Sequence, residues 1–151
     1  MQTQILSLLV DNHFGVLTKV TGLFGRRGYN IKSLSVGETE MNEISRITIV
    51  TEGDPAQLEQ IYKQVRKLEE VLSVTMLPHE RAYERELLLV KTTARVLPLL
   101  PEGCTAEITS CGGYSIIEAS GTAEATESLI ETLRESGIIE MSRTGITAIP
   151  K

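Results

Sequence analysis

ILSLLVDNHFGVLTKVTGLFGRRGYNIKSLSV, residues 5–36, reads as a strand, a helix and a second strand in that order. Ile5 to Val10 is a short apolar run closed by Asp11 and Asn12, the pattern of a buried strand. Val16, Leu17, Val20, Leu23 and Phe24 then recur at helical spacing, and Gly28 follows as the C-cap. Arg26 and Arg27 occupy the last turn, where cations suit the negative end of the helix dipole. Ile31, Leu34 and Val36 open the next strand.

Working outward, Gly37 to Glu43 supplies a polar turn, and Ile47 and Ile49 alternate with polar neighbours in a strand over residues 44–51. Asp54, Pro55 and Gln57 form a capping-box start for a second helix, whose apolar stripe is Leu58, Ile61, Tyr62, Val65 and Leu68. Leu72, Val74 and Met76 alternate before Pro78 stops the strand. Strand, helix, strand, strand, helix, strand is the split βαβ, or ferredoxin-like, unit.

The polar residues 79–84 read as a linker, and a strand resumes over Leu87 to Val90. Pro98 and Pro101 leave room for only a short helix. A hairpin about Gly112-Gly113 joins strands 106–111 and 114–120. Thr126, Leu129, Ile130 and Leu133 mark a helix ended by Gly137, and one strand closes the chain over residues 138–149. The second half repeats the element order of the first with its first helix nearly lost. The expected fold is α+β, two tandem ferredoxin-like βαββαβ units: a domain at 1–78, a linker at 79–84, and a shortened domain at 85–151.

Each half is about 75 residues, a size at which one core supplies only a few kcal/mol. Its sheet also has edges to cover. The first unit is therefore expected to pair with another copy, edge to edge or helix layer to helix layer.

Composition narrows the function. The 151 residues carry 15 Lys and Arg against 20 Asp and Glu, a net charge of −5, which argues against nucleic acid as the main partner. No apolar run approaches the roughly 20 residues of a membrane span. Met1 to Gln4 lacks the basic region of a signal peptide, so a cytoplasmic location is expected. Cys104 and Cys111 are either two small hydrophobes or a redox pair.

No nucleophile–base arrangement is readable. Asp11 and His13 are either exposed loop residues or take a ligand or base role, with no third metal ligand nearby and no Ser or Cys for His13 to activate. The loop from Asn12 to Gly15 offers more. Gly15 permits close backbone approach, and the first-turn N–H groups of a helix have no intrahelical partners, which makes a carboxylate receptor. Asn12 can accept from an ammonium or donate. Carboxylate plus ammonium outlines an amino acid. Equally, Asn12 reads as a plain N-cap and Gly15 as a turn residue. Gly22 and Gly25 each cost the helix about 1 kcal/mol, through either close approach of another backbone or tolerance near a helix end. Arg26 and Arg27 either complement the dipole or face an acidic partner.

Asn12-x-x-Gly15-Val16-Leu17, Gly22-Leu23-Phe24 and Arg27-Gly28-Tyr29-Asn30-Ile31-x-Ser33-Leu34 resemble the ACT domain of the acetohydroxyacid (acetolactate) synthase small subunit. Ser45-Arg46-x-Thr48-Ile49, Glu84-Arg85-Glu86-x-x-Leu89-Val90-Lys91 and Ile139-Glu140-x-x-Arg143-Thr144-Gly145 extend the resemblance over nearly the whole chain. It implies a regulatory subunit with no catalytic site or cofactor of its own. The family's catalytic large subunit carries thiamine diphosphate, magnesium and FAD and makes acetolactate for branched-chain amino-acid synthesis. The small subunit raises that activity and confers feedback inhibition, typically by valine.

The resemblance further implies a homodimer of ACT domains with the effector at the interface. Asn12, His13, Gly15, Val16 and Leu17 would come from one chain and Asn30 and Ile31 from the other. Val16 stands where better-known members have a smaller Ala, which narrows the pocket. A stand-alone amino-acid sensor acting on another enzyme or regulator is the alternative.

Overall fold

The computed structural model describes Met1–Lys151. It divides into two compact units, Met1–Tyr83 with Ala148–Lys151, and Glu84–Thr147. No helix is long and apolar enough to cross a membrane.

In the first unit, β1 (Gln2–Asp11), α1 (Val16–Arg27), β2 (Ile31–Glu38), β3 (Ile44–Gly53), α2 (Pro55–Val65) and β4 (Val71–Leu77) follow the expected order. The sheet runs β2-β3-β1-β4 and every pair is antiparallel, the ferredoxin-like arrangement. Alternation along β1 and β3 turns Leu6, Leu8, Val10, Ile47 and Ile49 toward the helices. There they pack on Val16, Val20, Leu23 and Phe24 of α1 and on Leu58, Ile61 and Val65 of α2. The 3.6-residue period of each helix sets which side chains meet this core.

Helix ends follow local chemistry. Gly28 takes φ +67° at the end of α1, and its N–H donates to the Gly25 carbonyl. Asp54 and Gln57 form the reciprocal capping box, with Pro55 as the first helical residue of α2. Leu68 lies beyond that helix, in the turn where its N–H bonds the Val65 carbonyl, yet it still packs against the same core.

The second unit has the same plan. β5 (Ala82–Thr92), β6 (Cys104–Ser110), β7 (Ser115–Gly121), α3 (Ala123–Ser136) and β8 (Ile138–Arg143) give the order β6-β7-β5-β8. No helix forms between β5 and β6. Leu97 and Leu100, set about the two prolines, pack against the core in its place. α3 buries Ala125, Leu129, Ile130 and Leu133 against Leu88, Val90 and Ile117.

Two boundaries differ from the sequence reading. The polar residues 79–84 are not a linker: His79–Arg81 is one 3-10 turn and Ala82 already begins β5. The cause is Ala82, which is buried and anchors a strand whose next neighbours are polar.

The closing strand is also two strands. Gly145, at φ +76°, ends β8, and Thr144 N–H bonds the Leu87 carbonyl at 3.0 Å. β9 (Thr147–Pro150) then pairs with β5. Ala148 N–H donates to Thr48 Oγ1 at 3.4 Å and Lys151 N–H to the Arg81 carbonyl at 2.9 Å, so residues 148–151 belong with the first unit.

Candidate functional site

β1 ends at Asp11, and the chain then makes a sharp turn into α1. Asn12 is not the helix cap. Its backbone N–H donates to the Glu43 carbonyl at 2.8 Å, and its side-chain amide donates to Glu38 Oε1 at 3.1 Å and the Asn42 carbonyl at 2.7 Å. Asn12 thus ties the mouth of α1 to the β2–β3 turn, leaving its amide oxygen as an acceptor.

The cap position is Gly15, left-handed at φ +87°, with no side-chain cap bond. Lys19 N–H makes the first helical bond, to the Gly15 carbonyl at 3.1 Å, so the Leu17 and Thr18 N–H groups have no protein acceptor. A Cβ at Gly15 would meet nothing within 4 Å, so glycine is required there by conformation and not by crowding. The helix therefore presents free donors and the positive end of its dipole to an open loop, an arrangement suited to a carboxylate.

The surrounding side chains are a mixed set. His13 is exposed, with Nε2 3.7 Å from Asp11, and no group of three His, Cys, Asp or Glu is placed to hold a metal ion. Val16 is buried in the core and Leu17 is partly exposed beside it. Cys104 opens β6 and Cys111 follows its last residue, one buried and one exposed and a strand's length apart, which does not fit a redox pair.

Asn30 and Ile31 are elsewhere. Asp11 pairs with Ile44 and Ile31 with Thr51, seven residues apart along β3. At about 3.3 Å per residue the two halves of the expected site are about 23 Å apart in one chain. Thr51 Oγ1 donates to the Asn30 carbonyl at 2.6 Å and fixes that second half.

Lys19 and Glu70 form an ion pair that holds α1 beside the start of β4, and Asp11 N–H donates to the Glu70 carbonyl at 3.0 Å. The ammonium of Lys19 keeps the Glu70 carboxyl below its ordinary range. A carboxylate depressed in the folded state stabilises above its unfolded pKa and loses that contribution as pH falls through the folded value. Acid titration of thermal stability should therefore show a loss at low pH that Glu70→Gln reduces. An unchanged profile in the variant would show the pair to be inert.

Residues 6–73 match the family model described as the AHAS small subunit-like ACT domain, and residues 105–151 match the one described as the small subunit of acetolactate synthase. An acetolactate synthase small subunit from Buchnera aphidicola is 40% identical, the alignment covering 100% of this chain and 99% of that protein. The chain belongs to the acetolactate synthase small-subunit family. A probable acetolactate synthase small subunit from Archaeoglobus fulgidus is also 40% identical, over 95% of this chain and 94% of its own length. The crystal structure of the Thermotoga maritima acetolactate synthase small subunit superposes with a TM-score of 0.87 at 34% identity, covering 100% of this chain and 98% of that one. The second family match begins just past the stretch where this chain lacks a helix between β5 and β6.

One constellation escaped the sequence reading. Glu86, buried on β5, accepts from Arg143 Nη2 at 2.5 Å and Nε at 3.4 Å, and Arg143 Nη1 reaches Glu127 Oε2 at 2.9 Å. Thr126 Oγ1 donates to the same Glu86 oxygen. The runs Glu84-Arg85-Glu86 and Arg143-Thr144-Gly145, separate in the sequence, meet through the Glu86–Arg143 ion pair. The available signal was a charged residue at a core-facing strand position.

Proposed function

We propose that this chain is a non-catalytic regulatory subunit. It pairs with a second copy, binds a branched-chain amino acid, valine by the family resemblance, and sets the activity of a catalytic large subunit in the cytoplasm. Thiamine diphosphate, magnesium and FAD would be held by that large subunit. The observation that carries the reading is the uncapped mouth of α1, with free Leu17 and Thr18 donors beside the Asn12 amide.

Pairing supplies the rest of the site. β2 is one of the two edges of the first sheet, the one that carries Ile31 and Glu38. Two β2 strands joined antiparallel and centred between Leu34 and Ser35 set Ile31 of one copy opposite Glu38 of the other, and Glu38 is the residue Asn12 holds. The 23 Å gap within one chain closes between two. The effector's carboxylate meets the helix mouth, its ammonium the Asn12 oxygen and nearby carboxylates, and its side chain the apolar surface of Leu17 and the second copy's Ile31, while Val16, expected to line the crevice, faces the core beneath it.

Coupling follows from linkage. An effector that prefers one arrangement of the paired units shifts the large subunit by about 1–3 kcal/mol, or about 5- to 150-fold in affinity. Mixing the chain with its large subunit should raise acetolactate formation and make it sensitive to valine, and no change in either would overturn the reading. Asn12→Ala should weaken valine binding by about tenfold or more in calorimetry, the cost of about one lost charge-assisted hydrogen bond. Wild-type affinity in that variant would remove Asn12 from the site. Co-purification of the large subunit separates this reading from a stand-alone sensor.

A further inference from the structure

Arg26 and Arg27 are exposed in the last turn of α1, and the ion pairs of the first unit do not include them. The neighbouring cation at that end, Lys32, is already committed to Glu52 at 2.7 Å. Gly22 has a part in this. A Cβ there would lie 3.3 Å from Arg26 Nη1, so the glycine lets the guanidinium lie along the outer surface of the helix. No other backbone approaches Gly25 within the chain.

The opposite end of the same edge has the opposite charge. Asp11 adjoins Asn12, the Glu38 carboxylate accepts from the Asn12 amide, and Glu43 holds the Asn12 N–H through its backbone carbonyl, which brings its acidic side chain to the same turn; of the cations at this end, Lys19 is already paired with Glu70 and His13 lies 3.7 Å from Asp11. α1 separates the two ends by about 18 Å, the rise of twelve helical residues. A two-fold axis that runs two β2 edges antiparallel reverses the second copy, so each positive end meets a negative one, twice per pair.

We propose that Arg26 and Arg27 of each copy engage the Asp11, Glu38 and Glu43 carboxylates of a second copy, so that an electrostatic match fixes the register of the pairing that builds the effector crevice. This rests on the edge-to-edge pairing of the proposed function. A register slip by two residues along β2 would separate the charges, which is how such contacts select one docking. The same contacts make assembly, and with it effector affinity, sensitive to ionic strength.

Sedimentation equilibrium on the full chain tests it. The wild-type dimer should weaken by about tenfold or more between about 50 mM and about 500 mM salt. Arg26→Glu/Arg27→Glu sets carboxylates against carboxylates, and Glu38→Lys/Glu43→Lys sets cations against cations. Each variant alone should dimerise at least about tenfold more weakly than wild type. Mixed in equal amounts they form a heterodimer in which the contacts between positions 26 and 27 and positions 38 and 43 are again complementary, with Asp11 alone left opposite like charge on one side, and association should recover most of the wild-type strength. Variants that dimerise like wild type, or defective variants that do not rescue each other, would overturn the charge pairing while leaving the edge pairing standing. A wild-type chain that stays monomeric would overturn both.

Discussion

Arg143→Ala should lower the unfolding free energy of the second unit by about 2–3 kcal/mol, because it takes the charged donor from the buried Glu86 carboxylate while Arg143 itself is a third exposed. Glu86 is held between β5 and α3 with its side chain 3% exposed, and Arg143 supplies its charged donors. Without them, Thr126 Oγ1 remains as the single side-chain donor to a carboxylate set between β5 and α3. Leu88 and Arg143 are paired across β5 and β8, so the guanidinium also fixes the register of the edge strand.

Two controls separate charge from volume. Arg143→Lys keeps the positive charge but loses the forked contact with both carboxylate oxygens and with Glu127, and should cost less than the alanine. Glu86→Leu with Arg143→Met removes both charges together. It should be well below the sum of the single losses, because no buried charge is left unpaired. Urea denaturation midpoints at constant slope read all three. A loss under about 1 kcal/mol for Arg143→Ala would place the pair among solvent-screened surface bridges.

Phe24→Ala should cost about 3–5 kcal/mol in the first unit. Phe24 is 1% exposed at the end of α1 and meets the Tyr29 ring edge to face, with centroids 6.1 Å apart. Tyr29 N–H also donates to the Phe24 carbonyl at 2.9 Å, so the side chain and the helix end share one support. The cavity would therefore loosen the turn that carries Asn30 and Ile31 as well as the core. Effector affinity should fall along with stability, whereas Phe24→Leu should retain most of both. Valine binding unchanged in a destabilised Phe24→Ala protein would remove Asn30 and Ile31 from the proposed crevice.

The first unit was legible because its signals are local and agree with one another. Val20, Leu23 and Phe24 announce the inward face of α1, Gly28 its end, and Asp54-Pro55-x-Gln57 the start of α2. Asn12 and Gly15 could be singled out for the same reason, since a left-handed glycine before a helix is a local requirement. Whether Asn12 caps the helix or bridges to Glu38 and Asn42 could not be read, because those partners lie 26 and 30 residues further along the chain.

Sequence alone determined the periodicities, the caps, and hence two sheets of antiparallel strands with helices between, each being a matter of neighbours within one or two turns. Tertiary structure decided three things. Glu86 joins Arg143 across 57 residues, the chain end leaves β8 at Gly145 to bond Thr48 and Arg81, and Asn12 and Asn30 stand about 23 Å apart at opposite ends of one sheet. Such contacts depend on strand register, and register is set by how a whole sheet buries one face.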